Sequence, residues 1–220
     1  MRNILLLSSD RYKNLDSCDW CASILNDFFA KTKQIALVPY AQVIDSFDEY
    51  EKTLKNKINS KIVSIHNDPI NILNDSEGIL VSGGNLFVLL HRLQKLNLLD
   101  ILKDKIENSI TYAGWGAGAS VLSEDIKTCN DLPILYPSNL QALGVLKYQI
   151  ITEYIPQDRE YSMKLYEYFK LNQNSSVFAL PYGSALKIHN DNALVMGNEG
   201  VLKLSEYYEQ YFKIGDFIKL

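Results

Sequence analysis

Short apolar runs recur along this chain and alternate with stretches whose apolar residues fall three and four positions apart. Ile4–Leu7, Ile35–Val38, Ile62–Ile65 and Ile79–Val81 are runs of the first kind. They predict strands covered on both faces. Between them, Asp16 and Ser17 are placed to cap a helix through Ala30, with Ala22, Leu25 and Phe29 on one face. Ser46-Phe47-Asp48-Glu49 is a capping-box sequence ahead of Phe47, Tyr50, Leu54 and Ile58 at helical spacing. Asp68-Pro69 predicts a short helical turn ending near Leu73, and Leu86–Leu90 and Leu99–Ile106 read as helices. Thr111–Gly114 reads as another short buried strand. Strand and helix in regular alternation predict a three-layer α/β fold: a mostly parallel sheet with helices on both faces.

After Val121 the pattern loosens. Thr128–Pro133 is polar loop sequence, Leu143–Ile151 is strand-like and Asp158–Leu171 is helical. Val177–Leu180, Ala185–Ile188 and Val201–Leu204 predict short strands, with turn chemistry at Asn190-Asp191-Asn192. Gln210–Ile214 and Phe217–Leu220 predict an edge hairpin around Gly215. No linker, repeat or low-complexity segment interrupts the chain. Its 220 residues suit a single domain spanning 1–220.

Composition narrows the function. Apolar residues make up 47%, enough for a packed core, and the formal charge of −4 comes without a basic run. Nucleic acid is therefore not expected as a partner. The N-terminal apolar run is too short for a signal-peptide core or a membrane span, so no membrane association is expected and the cytoplasm is the default location. Three cysteines suit a reducing compartment. Cys18-x-x-Cys21 lacks the second pair a zinc site needs, and its simpler reading is packing. His66, His91 and His189 have no metal-ligand spacing, and no cofactor is expected.

Two turns carry candidate chemistry. Ser82-Gly83-Gly84-Asn85 follows one strand and precedes a helix, where backbone N–H groups can face an anion, although a tight turn alone explains a Gly-Gly pair. Gly114-Trp115-Gly116-Ala117-Gly118-Ala119 joins the last parallel strand to a helical turn through small residues. That is the layout of a nucleophile elbow, whose corner needs unusual backbone angles and close-packing neighbours. Both turns fall at carboxyl ends of strands, where ligands sit in such sheets. A working elbow carries Ser or Cys at the corner. Here the corner is Gly116, which has no side chain to attack anything.

The elbow resembles the Gly-Trp-Ser-Ala-Gly-Ala segment of the peptidase E family, serine hydrolases that cleave dipeptides with an N-terminal aspartate. The resemblance extends through Leu5-Leu6-Leu7-Ser8, Val38-Pro39-Tyr40-Ala41, Asp48-Glu49-Tyr50, Gly83-Gly84-Asn85, Thr128-Cys129-Asn130-Asp131-Leu132-Pro133-Ile134 and Leu180-Pro181-Tyr182-Gly183. It implies a sheet of the class I glutamine amidotransferase type with a Ser–His–Asp triad. It places backbone oxyanion donors at Gly84 and Ala117 and the acidic member at Asp131. The nucleophile position is then Gly116 and the histidine position Glu153, so two of three catalytic groups are replaced. Recognition positions change too: Leu86 follows Gly83-Gly84-Asn85 where the family has Thr, Tyr182 replaces a Glu, and of an Arg-Glu-x-Arg segment only Arg159 and Glu160 match, with Ser162 at the second Arg.

These substitutions imply a catalytically inactive relative that binds a small acidic dipeptide-like ligand through Gly83, Asn85, Arg159 and Tyr182. Two alternatives stay open. One is a hydrolase with a relocated nucleophile, Ser120 or Cys129, or with water activated by Glu153. The other is a structural subunit that binds a partner protein and no pocket ligand. Ser120 lies four residues past the corner, about 6 Å along the helix. Cys129 lies close to Asp131 but has no recognisable base nearby.

Overall fold

The computed structural model describes residues 2–44 and 46–220. Strands β1 (Asn3–Leu7), β2 (Gln34–Val38), β3 (Lys61–Ser64), β4 (Gly78–Val81) and β5 (Thr111–Trp115) run parallel in the order β3-β2-β4-β5-β1. Along β1, Ile4 and Leu6 join one core cluster while Leu5 and Leu7 join another. Along β2, Ala36 and Val38 divide from Ile35 and Leu37 in the same way. Successive side chains of a strand point to opposite faces, so an unbroken apolar run is what a sheet covered on both sides requires.

The covering helices lie on both faces. Leu25 of α1 (Ala22–Phe28) and Leu54 of α2 (Phe47–Lys55) belong to the cluster of Leu5 and Leu7. Leu73 of α3 (Pro69–Asp75), Leu89 of α4 (Leu86–Lys95) and Leu102 of α5 (Leu99–Glu107) belong to the cluster of Ile4 and Leu6. Side-chain caps start three of them: Ser46 accepts from Glu49 N, Asp68 from Asn71 N and Asn85 from Val88 N.

Helix α1 starts later than its sequence suggests. Cys18 has a φ of 66°, which breaks a helix, and Ser17 Oγ donates to Asp10 Oδ2 at 2.6 Å instead of capping. Cys18 and Cys21 are free thiols, fully buried in the core. No helix among the described residues is long and apolar enough to cross a membrane.

The second half of the chain does more than extend the sheet. Strands β8 (Ser184–His189), β9 (Asn192–Gly197) and β12 (Phe217–Lys219) add antiparallel beyond β1, completing eight strands. A separate sheet forms from β6 (Gln149–Tyr154), β7 (Val177–Pro181), β10 (Val201–Leu204) and β11 (Glu209–Phe212), in the order β11-β10-β7-β6. It packs Ile151, Val177 and Leu202 against Leu165 and Phe169 of α7 (Arg159–Leu171). Three expectations are corrected here. Residues 143–148 are not strand: Leu143 N and Val145 N donate to Val121 O and Leu122 O in the loop after the elbow. β9 was not expected. β11 and β12 form no hairpin, because each pairs with a strand of a different sheet.

Candidate active site

β5 ends at Trp115 and a short helix, α6 (Ala117–Ser120), begins two residues later, so Gly116 alone makes the corner. Its φ of 53° and ψ of −123° lie where L side chains rarely settle. The expected elbow backbone is therefore present with glycine at its corner. The small residues behind it have a steric cause. A Cβ on Gly118 would strike the backbone oxygen of Val81 in β4. Tyr112 OH, fully buried, donates to Gly118 O and ties the helical turn back to its own strand.

The loop after β4 brings Gly84 to this corner. A Cβ built on Gly116 would lie 3.2 Å from Gly83 Cα and 3.9 Å from Gly84 N. A side chain at 116 would thus emerge beside the Gly84 amide. Neither Gly84 N–H nor Ala117 N–H has an acceptor among the described residues. Two free amides flanking the corner are what an oxyanion site needs.

Gly84, Gly116 and Ala117 line a cavity of about 240 Å³ whose opposite side is built from the 125–131 loop, β6 and Tyr182. Asp131 and Glu153 both line it. Asp131 Oδ2 accepts from Leu86 N at 2.7 Å, at the N-terminus of α4, where the helix dipole favours a carboxylate. Glu153 sits at an irregularity in β6, between Thr152 and Tyr154, with a φ of 55°. Such a bulge re-aims one side chain out of strand alternation. Its Oε1 accepts from Ser9 Oγ at 2.7 Å and its Oε2 from Tyr182 OH at 2.8 Å. Burial, and then the bond to Glu153, push the Tyr182 phenol up to about 12.

The alternative nucleophiles are also on the lining. Burial holds the Cys129 thiol well above its ordinary range, and the Asp131 charge adds to the shift, so it is protonated at neutral pH. Its Sγ accepts from Asp131 N. Ser120 is 8% exposed and its hydroxyl has no partner among the described residues. No histidine among the described residues lines the cavity. His66 lies by Ser64 Oγ and Asp48, and His91 Nδ1 by Tyr136 O.

Three of the residues expected to bind ligand lie off the lining. Asn85 is spent on structure: its Oδ1 caps α4 and its Nδ2 donates to Leu132 O at 2.8 Å. Gly83 packs against the Trp115 ring, and its carbonyl accepts from Gln42 Nε2. Arg159 opens α7 as an exposed residue. Ser162 Oγ donates to Asp158 O within its own helix.

Sequence reasoning missed Ser9, 2% exposed, whose hydroxyl reaches Glu153 from the end of β1. A serine pair just past a parallel strand was the available signal, since sites gather at that rim. It also missed a fixed polar floor. Gln149 bridges Asp125 and Thr128, and Tyr161 OH donates to Thr128 O at 2.7 Å.

A parallel sheet with a positive-φ corner, two free amides and a facing acid has the backbone of the nucleophile-elbow class of α/β folds. The comparisons are more specific. The sequence model of Peptidase family S51 matches residues 4–196. The chain is 41% identical to Peptidase E of Haemophilus influenzae strain PittGG, over 95% of each chain. It is 38% identical to Peptidase E of Actinobacillus pleuropneumoniae serotype 5b, over 94% of each. This chain belongs to peptidase family S51, the peptidase E family. Solved structures agree on the fold. A peptidase from an acI-B1 Actinobacterium superposes with a TM-score of 0.76 at 18% identity, covering 100% of this chain and 97% of that one. A putative peptidase E from Listeria monocytogenes EGD-e gives 0.67 at 17% identity, covering 90% and 100%.

Proposed function

We propose that this chain is a non-hydrolytic member of the family that binds a dipeptide-sized ligand in the elbow cavity. One observation carries the reading: Gly116 holds the elbow backbone, with free amides beside it, and has no nucleophilic atom. The other groups support it. Glu153 stands at the base position with one hydrogen bond accepted at each oxygen, from Ser9 and Tyr182, and with glycine at 116 there is no nucleophile whose proton it could take. Cys129 is held as a thiol. Ser120 begins a turn further along the helix, and its hydroxyl has no base as a partner.

The cavity favours a pocket ligand over a purely structural role. Leu86 and Tyr182 stand on its wall and leave about 240 Å³ open, somewhat below the roughly 300–1,000 Å³ of drug-sized sites and suited to a small ligand. The test is a calorimetric titration of the purified protein with a panel of dipeptides, followed by mass analysis of the mixture. Saturable binding with the peptide recovered intact is expected. Binding followed by release of free amino acids would contradict the reading.

A further inference from the structure

We infer that the elbow cavity selects a zwitterionic or cationic peptide-like ligand and disfavours an acidic one. This rests on the reading above and concerns the charge of what the same site holds. Among the described residues, four carboxylates line the cavity: Asp125, Asp131, Glu153 and Asp158. No Lys, Arg or His among the described residues lines it. Asp125 is neutralised locally, its Oδ2 lying 2.6 Å from Lys127 Nζ. The other three have no cation within ion-pair distance among the described residues. Lys164, which reaches the rim at Asn130 Oδ1, pairs with Glu160 at 2.8 Å. Arg159, the cation that the family resemblance offers an acidic ligand, is not on the lining. An extra carboxylate on the ligand would enter a negative cleft with no partner, whereas an ammonium would find two.

Carboxylates alone do not make a site. Two independent observations point to an occupant. The Gly84 and Ala117 amides are unpaired, and they suit a carbonyl or carboxylate oxygen. Ser120, a residue 8% exposed, presents an unpartnered hydroxyl on the same lining. Nor are the carboxylates arranged for a metal: no group of three or more His, Cys, Asp or Glu among the described residues is placed to hold one. An oxygen at the amides and an ammonium towards Asp131 and Glu153 describe one molecule with both groups, an amino acid or short peptide. The net charge of its side chain then decides affinity.

The test compares Lys-Leu, Ala-Leu and Asp-Leu by calorimetry on the full chain, at low and at high ionic strength. Affinity is expected to fall in that order, with Lys-Leu about tenfold or more tighter than Asp-Leu at low salt and the gap narrowing at high salt. Asp131→Asn and Glu153→Gln should each narrow it further. The salt arm needs no variant, so a misfolded substitution leaves the test intact. Asp-Leu binding as tightly as Lys-Leu, or a gap that salt does not change, overturns the charge inference and leaves ligand binding standing. No saturable binding of any of the three overturns both.

Discussion

Glu153 is held in backbone that only glycine adopts freely. A φ of 55° at such a residue costs of order 1–3 kcal/mol, and persists where surrounding contacts over-determine it. Here the contacts are the hydroxyls of Ser9 and Tyr182, one on each carboxylate oxygen. The coupling is visible in Tyr182. Its pKa in the folded chain, about 12, exceeds the ordinary value of about 10, so folding favours the protonated phenol. That contribution to stability is whole below pH of about 10 and is lost as pH rises through about 12. NMR titration of ring-labelled tyrosine should find the Tyr182 midpoint near 12. In Glu153→Gln it should fall, yet stay above 10, because burial is the larger cause. An unchanged midpoint in the variant would contradict the coupling. At this scale the sequence showed Gly116, Asp131 and Glu153, because each occupies a position in a motif. Ser9 was hidden, since its partner lies 144 positions away and a hydroxyl after a strand has many ordinary uses.

The elbow is an element in its own right, and its packing makes Gly118 the most exacting position. A Cβ there meets the Val81 backbone oxygen, which has no rotamer to move. Gly118→Ala should lower stability by about 1–3 kcal/mol, as overpacking does. Urea unfolding measures it, and a change within about 0.5 kcal/mol, as at an ordinary surface position, would show that α6 slides away from β4 at little expense. The elements of the first half were legible because two-sided burial leaves unbroken apolar runs and Ser46, Asp68 and Asn85 mark helix starts. The failures have local causes. The left-handed turn at Cys18 carries no glycine to announce it. β9, buried on alternate residues only, blends into the Asn190 turn and the glycines around it. Strands β11 and β12 flank a turn-like Gly215, and nothing local says that they part company to separate sheets.

In the whole molecule the site lies where two sheets meet. The corner and its amides come from the eight-stranded sheet, while Glu153 comes from β6 of the four-stranded one. Tyr182 spans the step from β7 to β8, hence from one sheet to the other. This second sheet was not legible in advance, because α7 intervenes between β6 and β7, β8 and β9 intervene between β7 and β10, and its strands are short. A triad acts as a unit, so Gly116→Ser alone and Glu153→His alone should each recover almost nothing. The double variant should show weak hydrolysis of an activated ester, because oxyanion stabilisation and binding in such sites are worth on the order of 10³–10⁴ over water. A folded double variant without activity would mean that the Gly84 and Ala117 amides are not a working oxyanion site. The most direct test of the central claim needs no substitution. Asp-Leu, Ala-Leu and Lys-Leu are each incubated with the purified protein and free leucine is followed by mass spectrometry. No release above the protein-free blank is the predicted result. Turnover of roughly 1–1000 per second that tracks the protein through purification would contradict it, and loss of that turnover in Cys129→Ala would place the nucleophile at that thiol.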